Sequence, residues 1–342
     1  MKKSTLTTLA GGLALATAGH FAFWGYQQYK YVHPELRHWK LFLAPRPGYV
    51  ALKGRLKREP QRTFAVVAPP APGVRVEMVD VAQPDLPGGL PCYLNLPEHR
   101  QYDGAVLWIH GGGHVLGSAG PDQTKVSQLA ADLGVPVLSV EYRNAGEAPF
   151  PADLDDCYAA LRWLQTQAEK YGINPAKIAL AGSSAGGGLS ASLAQKALDT
   201  GHPVGFQLLA YPMLDDRTDR PAQPGQGRWL WTALDNKLAW NTYLGGRAGA
   251  ASLPDYAVPA RRQNLEGLPA TWIGVGDIDL FYAENSSYHQ RLLAAGVEST
   301  LYEVPGMYHD APGLKPTAPV VRELEAAQRA ALRAFFEGNE GL

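Results

Sequence analysis

Lys177-Ile178-Ala179-Leu180-Ala181-Gly182-Ser183-Ser184-Ala185-Gly186 is the stretch that decides how this chain folds. Its first half, Lys177 to Ala181, has the short apolar character of a buried strand. The residues after it, Gly187 to Leu198, have the Gly, Ala and Leu content and the apolar spacing of a helix. Gly-x-Ser-x-Gly fills the join. A strand that passes into a helix through so tight a turn strains the backbone of its central residue, and a Cβ on either side would meet the neighbouring strand or helix, so glycines flank it. Ser184 is thereby held in the open at the carboxyl edge of a sheet, with Ser183 as its flanking residue. A bare Gly-x-Ser-x-Gly carries little weight in a chain with 37 glycines among 342 residues. Its position between a strand and a helix carries the weight.

Working outward, strand-like and helix-like runs alternate from Val74 onward. Strands are expected at Val74 to Val81, Leu90 to Leu96, Ala105 to His110, Val135 to Tyr142, Lys177 to Ala181, Phe206 to Tyr211, Thr271 to Val275 and Glu298 to Val304. Helices are expected at Lys125 to Leu133, Ala152 to Lys170, Gly187 to Leu198, Ala283 to Ala295 and Val320 to Phe336. Such alternation predicts an α/β protein with a mostly parallel eight-stranded sheet and helices on both faces. Two regions break the rhythm. Residues 27–73 are basic and Pro-rich, and residues 212–265 insert a Pro/Gly stretch with Trp229, Trp231, Trp240 and Tyr243 into the march of strands. An insertion of that length predicts a cap or lid. Its tryptophans are read first as packing the cap on the body and second as lining a pocket.

Composition narrows the function. Thirty-one Lys and Arg balance 32 Asp and Glu, and 46% of residues are hydrophobic, so the chain builds a core and presents no net field to recruit nucleic acid. Cys92 and Cys157 lie far apart with no zinc-type spacing, which predicts no structural metal, and Cys157 sits in an apolar rhythm that predicts burial. At the N-terminus Lys2 and Lys3 precede a stretch from Ser4 to Tyr26 without a formally charged side chain other than His20. Residues 1–26 therefore read as a signal peptide or a membrane anchor. Ala16-Thr17-Ala18 suits cleavage, and the flank of Trp24, Tyr26, Tyr29 and Lys30 suits retention. Either predicts an extracytoplasmic protein, with membrane association through this segment in the second case. The alternative is a cytoplasmic protein in which residues 4–26 are a cap helix.

The second chemical feature is His110-Gly111-Gly112-Gly113 after the strand Ala105 to Ile109. A tetrahedral oxyanion needs amide donors at close range, and bare glycine backbone gives them access. Gly111 and Gly112 are the expected donors, with the Ala185 amide, just after the serine, as the third. A phosphate-binding glycine loop is the competing reading, but the P-loop lysine is missing and no Gly-x-Gly-x-x-Gly opens a helix here. A serine activated in this way needs a histidine base, and the base needs an acid to fix its tautomer. The strand–Ser–helix context resembles the α/β-hydrolase fold, where the order along the chain is Ser, acid, His. Of the later histidines, His202 precedes any acid-bearing strand and His289 lies within a helical run. His309, in the loop Pro305-Gly306-Met307-Tyr308-His309, is the expected base. The loop after Thr271 to Val275 offers Asp277 and Asp279 ahead of Glu284, and spacing does not choose between the two aspartates. The unused one is read as loop or helix-entry geometry.

Taken together these motifs resemble the hormone-sensitive-lipase-like esterases, bacterial family IV, over about Leu90 to Phe336. The resemblance rests on His110-Gly111-Gly112-Gly113, on Glu141-Tyr142-Arg143 followed by Pro149-Phe150-Pro151-Ala152, and on the elbow Gly182 to Gly187. Tyr211-Pro212-Met213-Leu214-Asp215-Asp216 and the Pro305-Gly306-x-x-His309 loop complete it. In that family the acid opens a D-P-L-R-D-E segment followed by a tyrosine. Laid without gaps on Asp279 to Glu284, the segment also places Tyr288, and so the resemblance implies Asp279 as the acid. It further implies a cap over the site. The chain departs from the family in three places: Asn144-Ala145-Gly146-Glu147 stands for L-A-P-E, Ser183 for the elbow Asp, and Asp310-Ala311 for the Gly-Phe after the histidine.

The expected activity is hydrolysis of short- to medium-chain acyl esters of small molecules through an acyl-enzyme, with no cofactor. A serine peptidase or acyltransferase on the same fold is the nearest alternative, and the upstream glycine loop favours the esterase. A catalytically silent small-molecule receptor is the other, and the intact Ser184, Asp279 and His309 set argues against it.

Overall fold

The computed structural model describes residues 29–42 and 67–338. Eight strands form one sheet: β1 (Val74–Gln83), β2 (Leu86–Pro97), β3 (Ala105–Ile109), β4 (Val137–Val140), β5 (Ile178–Ser183), β6 (Phe206–Ala210), β7 (Ala270–Gly276) and β8 (Ser299–Val304). Their spatial order is β1-β2-β4-β3-β5-β6-β7-β8. The β1–β2 hairpin and the β2–β4 pair are antiparallel, and every pairing from β4 to β8 is parallel. All eight expected strands are present in this α/β-hydrolase fold.

The sequence of the central strands explains the layering. Side chains alternate across a sheet, so Leu107 and Ile109 of β3 and Leu180 of β5 point to one core while Val106, Trp108, Ala179 and Ala181 point to the other. Because both faces are covered, β3, β5 and β6 are buried throughout and read as continuous apolar runs. On the first face lie α2 (Ala152–Thr166), α3 (Ala185–Asp199) and α5 (Tyr282–Ala294), inserting Leu161, Leu193 and Leu292 among others. On the second lie α1 (Gln123–Leu133) and α7 (Pro319–Glu337), inserting Val126, Leu324 and Phe336. Helix α7 begins with proline in its first turn, where no amide partner is needed, and ends at Gly338 in the left-handed conformation (φ 75°). Both cysteines are buried and unbridged.

Two boundaries moved for local reasons, and one helix was not expected. The strand expected from Val135 is β4, only Val137–Val140, since Pro136 brings no N–H to the ladder. The helix expected to reach Lys170 stops at Thr166, after which the Ile173 amide turns back to the Ala168 carbonyl and Gly172 takes φ 59°. Between β6 and β7 lies α4 (Ala233–Tyr243), a helix the apolar periodicity did not reveal. Its inward face includes Asp235 and Asn236 beside Ala239, Trp240 and Tyr243, so polar residues interrupt the stripe. The cue that was available is the cap: the Thr232 hydroxyl accepts from Asp235 N at 3.3 Å and donates to its carboxylate at 2.6 Å.

Candidate active site

The strands of the parallel sheet end on one side, and the loops leaving β5, β7 and β8 carry Ser184, Asp279 and His309 there. Ser184 follows β5 directly with φ 55° and ψ −122°, a conformation that costs a non-glycine residue about 1–3 kcal/mol. Its backbone is held from both sides: Ser184 N donates to Ala210 O at 2.9 Å, and Met213 N and Gly188 N each donate to Ser184 O at 3.0 Å. A Cβ on Gly182 would overlap the Gly186 backbone and the Ile109 carbonyl. The elbow thus needs its glycines for the steric reason read from the sequence.

His309 Nε2 lies 2.9 Å from Ser184 Oγ, and His309 Nδ1 lies 2.8 Å from Asp279 Oδ2. An ionised carboxylate only accepts, so the histidine proton sits on Nδ1 and the Nε2 lone pair faces the serine hydroxyl. The other Asp279 oxygen accepts from Phe281 N at 2.9 Å, which fixes the carboxylate. All three side chains are buried. Tyr211 and Phe281 pack edge-on against the imidazole, with ring centroids 5.1 and 5.0 Å away.

The residues weighed against these three have other partners. Asp277 does not cap a helix; its Oδ1 accepts from Gly306 N at 2.6 Å and pins the loop that carries His309. Glu284 accepts from Leu214 N at 2.6 Å, from Asp215 N at 3.3 Å and from the Thr218 hydroxyl, and so fastens the start of the insertion. Burial pushes its carboxyl well above the usual range, against the lowering effect of those bonds. His202 Nδ1 pairs with the Tyr158 hydroxyl and His289 Nδ1 with Ser299 Oγ, both away from Ser184.

In the glycine loop, His110 stacks on Tyr142 (centroids 4.1 Å apart) and its Nδ1–H donates to the Gly111 carbonyl at 2.8 Å. Burial lowers its pKa, which keeps it neutral in that role. Gly112 has φ 135° and Gly113 φ 62°. Among the described residues, the amides of Gly111 and Gly112 have no internal acceptor, and neither does that of Gly113, which the sequence reading left out. His114 follows, buried at φ 62°, with Nδ1 3.0 Å from Asp153 Oδ2 and its ring stacked on Tyr243 of α4 at 3.9 Å.

These groups open on a pocket of about 1050 Å³ that Gly111, Gly112, Gly113, Ser184, Trp231 and His309 help to line. The tryptophans divide between the two roles weighed for them. Trp231 lines the pocket 6.0 Å from His309, whereas Trp229 packs edge-on against Tyr29 and Phe42, and Trp240 is buried against Tyr243. The described N-terminal residues reach the site indirectly. His33 N donates to Gly306 O at 2.9 Å, and Tyr308 OH donates to Leu36 O at 3.2 Å, so residues 29–42 brace the histidine loop. No sequence signal had tied the two together.

A family model described as alpha/beta hydrolase fold matches residues 106–312. Esterase LipI of Mycobacterium tuberculosis is 31% identical over 298 residues, covering 85% of this chain and 90% of that one. Carboxylesterase NlhH of the same species is 33% identical over 300 residues, covering 79% and 92%. Among solved structures, a bacterial heroin esterase superposes with a TM-score of 0.75 at 32% identity, covering 90% of this chain and 99% of that one. The chain belongs to the α/β-hydrolase family, as one of its hormone-sensitive-lipase-like esterases.

Proposed function

We propose that this carboxylic ester hydrolase cleaves short- to medium-chain acyl esters, with Ser184 as nucleophile, His309 as general base and Asp279 as the orienting acid. The observation that carries the assignment is the continuous chain Ser184 Oγ, His309 Nε2, His309 Nδ1, Asp279 Oδ2, with contacts of 2.9 and 2.8 Å. As Ser184 Oγ bonds to the ester carbonyl carbon, its proton passes to His309 Nε2 and the carbonyl oxygen becomes an oxyanion. Amides of Gly111, Gly112 and Ala185 receive that oxyanion, and Gly113 N–H joins the same set. The tetrahedral adduct collapses by expelling the alcohol, which takes the proton from His309. Water, deprotonated by His309, then releases the acid and restores Ser184. The segment 212–265, with Trp231 facing the triad, serves as the cap that bounds the acyl and alcohol pockets.

The test is a p-nitrophenyl ester series of increasing acyl length on the purified full chain. We expect kcat/KM to peak at short to medium acyl chains and to fall for long ones, with peptide anilides turned over far more slowly. Faster cleavage of peptide anilides than of esters would overturn the reading.

The reading of residues 1–26 as signal or anchor lies outside the described residues. Among those described, no helix is long and apolar enough to cross a membrane. The placement we propose is extracytoplasmic, on the strength of Lys2, Lys3 and the uncharged run that follows. Fractionation of native cells should find the enzyme outside the cytosol, and full-length enzyme wholly in the cytosol would refute this. A mature chain beginning after Ala18 would mark release rather than anchoring.

A further inference from the structure

Asp310, the residue directly after His309, stands on the wall of the reaction pocket. Its backbone is left-handed (φ 52°), and although it is the residue before the short helix α6 (Ala311–Leu314), its side chain caps none of that helix's amides. The carboxylate instead lies between Tyr211 and Gly313. Tyr211 OH donates to Asp310 Oδ1 at 3.4 Å, and a Cβ on Gly313 would touch both carboxylate oxygens. Burial raises the Tyr211 phenol well above its ordinary pKa, so it remains a donor. No cation pairs with Asp310 within 4 Å among the described residues. Lys125, whose charge acts on it, has its ammonium over the Trp108 ring, 4.7 Å from the centroid. Solvent reaches the residue, and it is one of those that line the pocket.

The other charged residues of the pocket lining are of both signs, with one more carboxylate than cation. Asp122, which accepts from the Trp108 indole at 3.2 Å, lines the pocket with Asp132 and Glu325, against Lys125 and Arg329, and Arg329 is already engaged with Asp132 at 3.5 Å. A carboxylate left without a counter-ion, one residue from the general base and facing substrate space, favours a positive charge carried by the substrate.

We propose that Asp310 is a specificity-determining residue that selects esters bearing an ammonium group on the side of the pocket it lines. The inference rests on the esterase reading above and deepens it from "ester" to "cationic ester". Asp310 takes no part in bond making, since Asp279 already occupies His309 Nδ1 and Ser184 occupies Nε2.

The experiment compares two acetates of nearly equal shape, 2-(trimethylammonio)ethyl acetate and 3,3-dimethylbutyl acetate, which differ in charge. One solvated ion pair contributes up to about 1 kcal/mol, so kcat/KM for the cationic ester should exceed that for the neutral one by about fivefold. Added salt should shrink the ratio toward one. D310N should bring it near one, and D310E should keep it above one. Burial raises the Asp310 carboxyl, with His309 and Lys125 opposing and Asp122 adding to the rise. The preference should therefore fade on acidification sooner than an ordinary carboxylate would dictate. The two substrates share the triad, so its own titration cancels in the ratio.

Turnover of the neutral ester with a wild-type ratio at or below one would overturn the inference and leave the esterase reading standing. A ratio that D310N leaves unchanged would also overturn it. If neither acetate nor any p-nitrophenyl ester is hydrolysed, the esterase reading fails, and calorimetry decides the inference separately. Choline should then bind more tightly than 3,3-dimethylbutan-1-ol, and D310N should lose the difference. Equal binding would overturn it.

Discussion

Ser184→Ala is expected to lower kcat by about a million-fold, and Ser183→Ala to cost at most about tenfold, because only the first removes the atom that bonds to the carbonyl carbon. The neighbouring hydroxyls have different surroundings. Ser184 Oγ faces His309 Nε2 at 2.9 Å, whereas the Ser183 hydroxyl hydrogen-bonds the Tyr211 phenol. A fluorophosphonate probe should label the parent and the Ser183→Ala protein and leave Ser184→Ala untouched. The strained backbone supplies a check that this is loss of chemistry rather than of fold. At φ 55° an alanine is as strained as the serine it replaces, and a glycine is not. Ser184→Gly should therefore be as inactive as Ser184→Ala yet melt at a higher temperature. Comparable activity losses at 183 and 184, or labelling of Ser184→Ala, would move the nucleophile elsewhere.

The site was legible where chemistry and backbone geometry coincide in a few consecutive residues. Gly182 to Gly186 encodes its own turn, and His110 to Gly113 encodes its own loop, because in both the glycines answer a local steric demand. The central strands were legible because burial on both faces leaves only apolar residues. What escaped depends on partners distant in sequence. Helix α4 turns a polar residue inward because Asn236 donates to Thr218 O at 2.7 Å and accepts from the Trp231 indole at 3.2 Å. Those contacts exist only after the insertion has folded back. The bracing of the histidine loop by His33 and Leu36 spans some 270 residues, and no periodicity within either segment could announce it. Asp277 shows the same limit at short range. Its residue type suited a helix cap, and only the fold brings Gly306 N to its carboxylate.

Asp279→Asn should lower kcat by about ten-thousand-fold with the fold intact, whereas Asp277→Asn should lose little. The reasoning follows the donors. Asp279 Oδ1 accepts from the Phe281 amide at 2.9 Å, an interaction that asparagine preserves only by turning its carbonyl oxygen to that N–H. Its NH2 group then faces His309 Nδ1, where the carboxylate oxygen had been 2.8 Å away. Two donors cannot share one hydrogen bond, so Nδ1 must become the acceptor and the imidazole proton moves to Nε2. There it points at Ser184 Oγ, and the base has no lone pair with which to take the serine proton. The charge that would steady the imidazolium is lost as well. At position 277 the demand is the opposite. The side chain need only accept from Gly306 N, a bond of 2.6 Å that an amide oxygen also makes, and Gln226 holds the Asp277 backbone carbonyl at 2.8 Å, which the substitution leaves in place. Steady-state kinetics on the two variants, with matched melting temperatures as the control, decide between them. An inactive Asp277→Asn beside an Asp279→Asn near the parental rate would transfer the orienting role to Asp277 and refute the triad proposed for this chain.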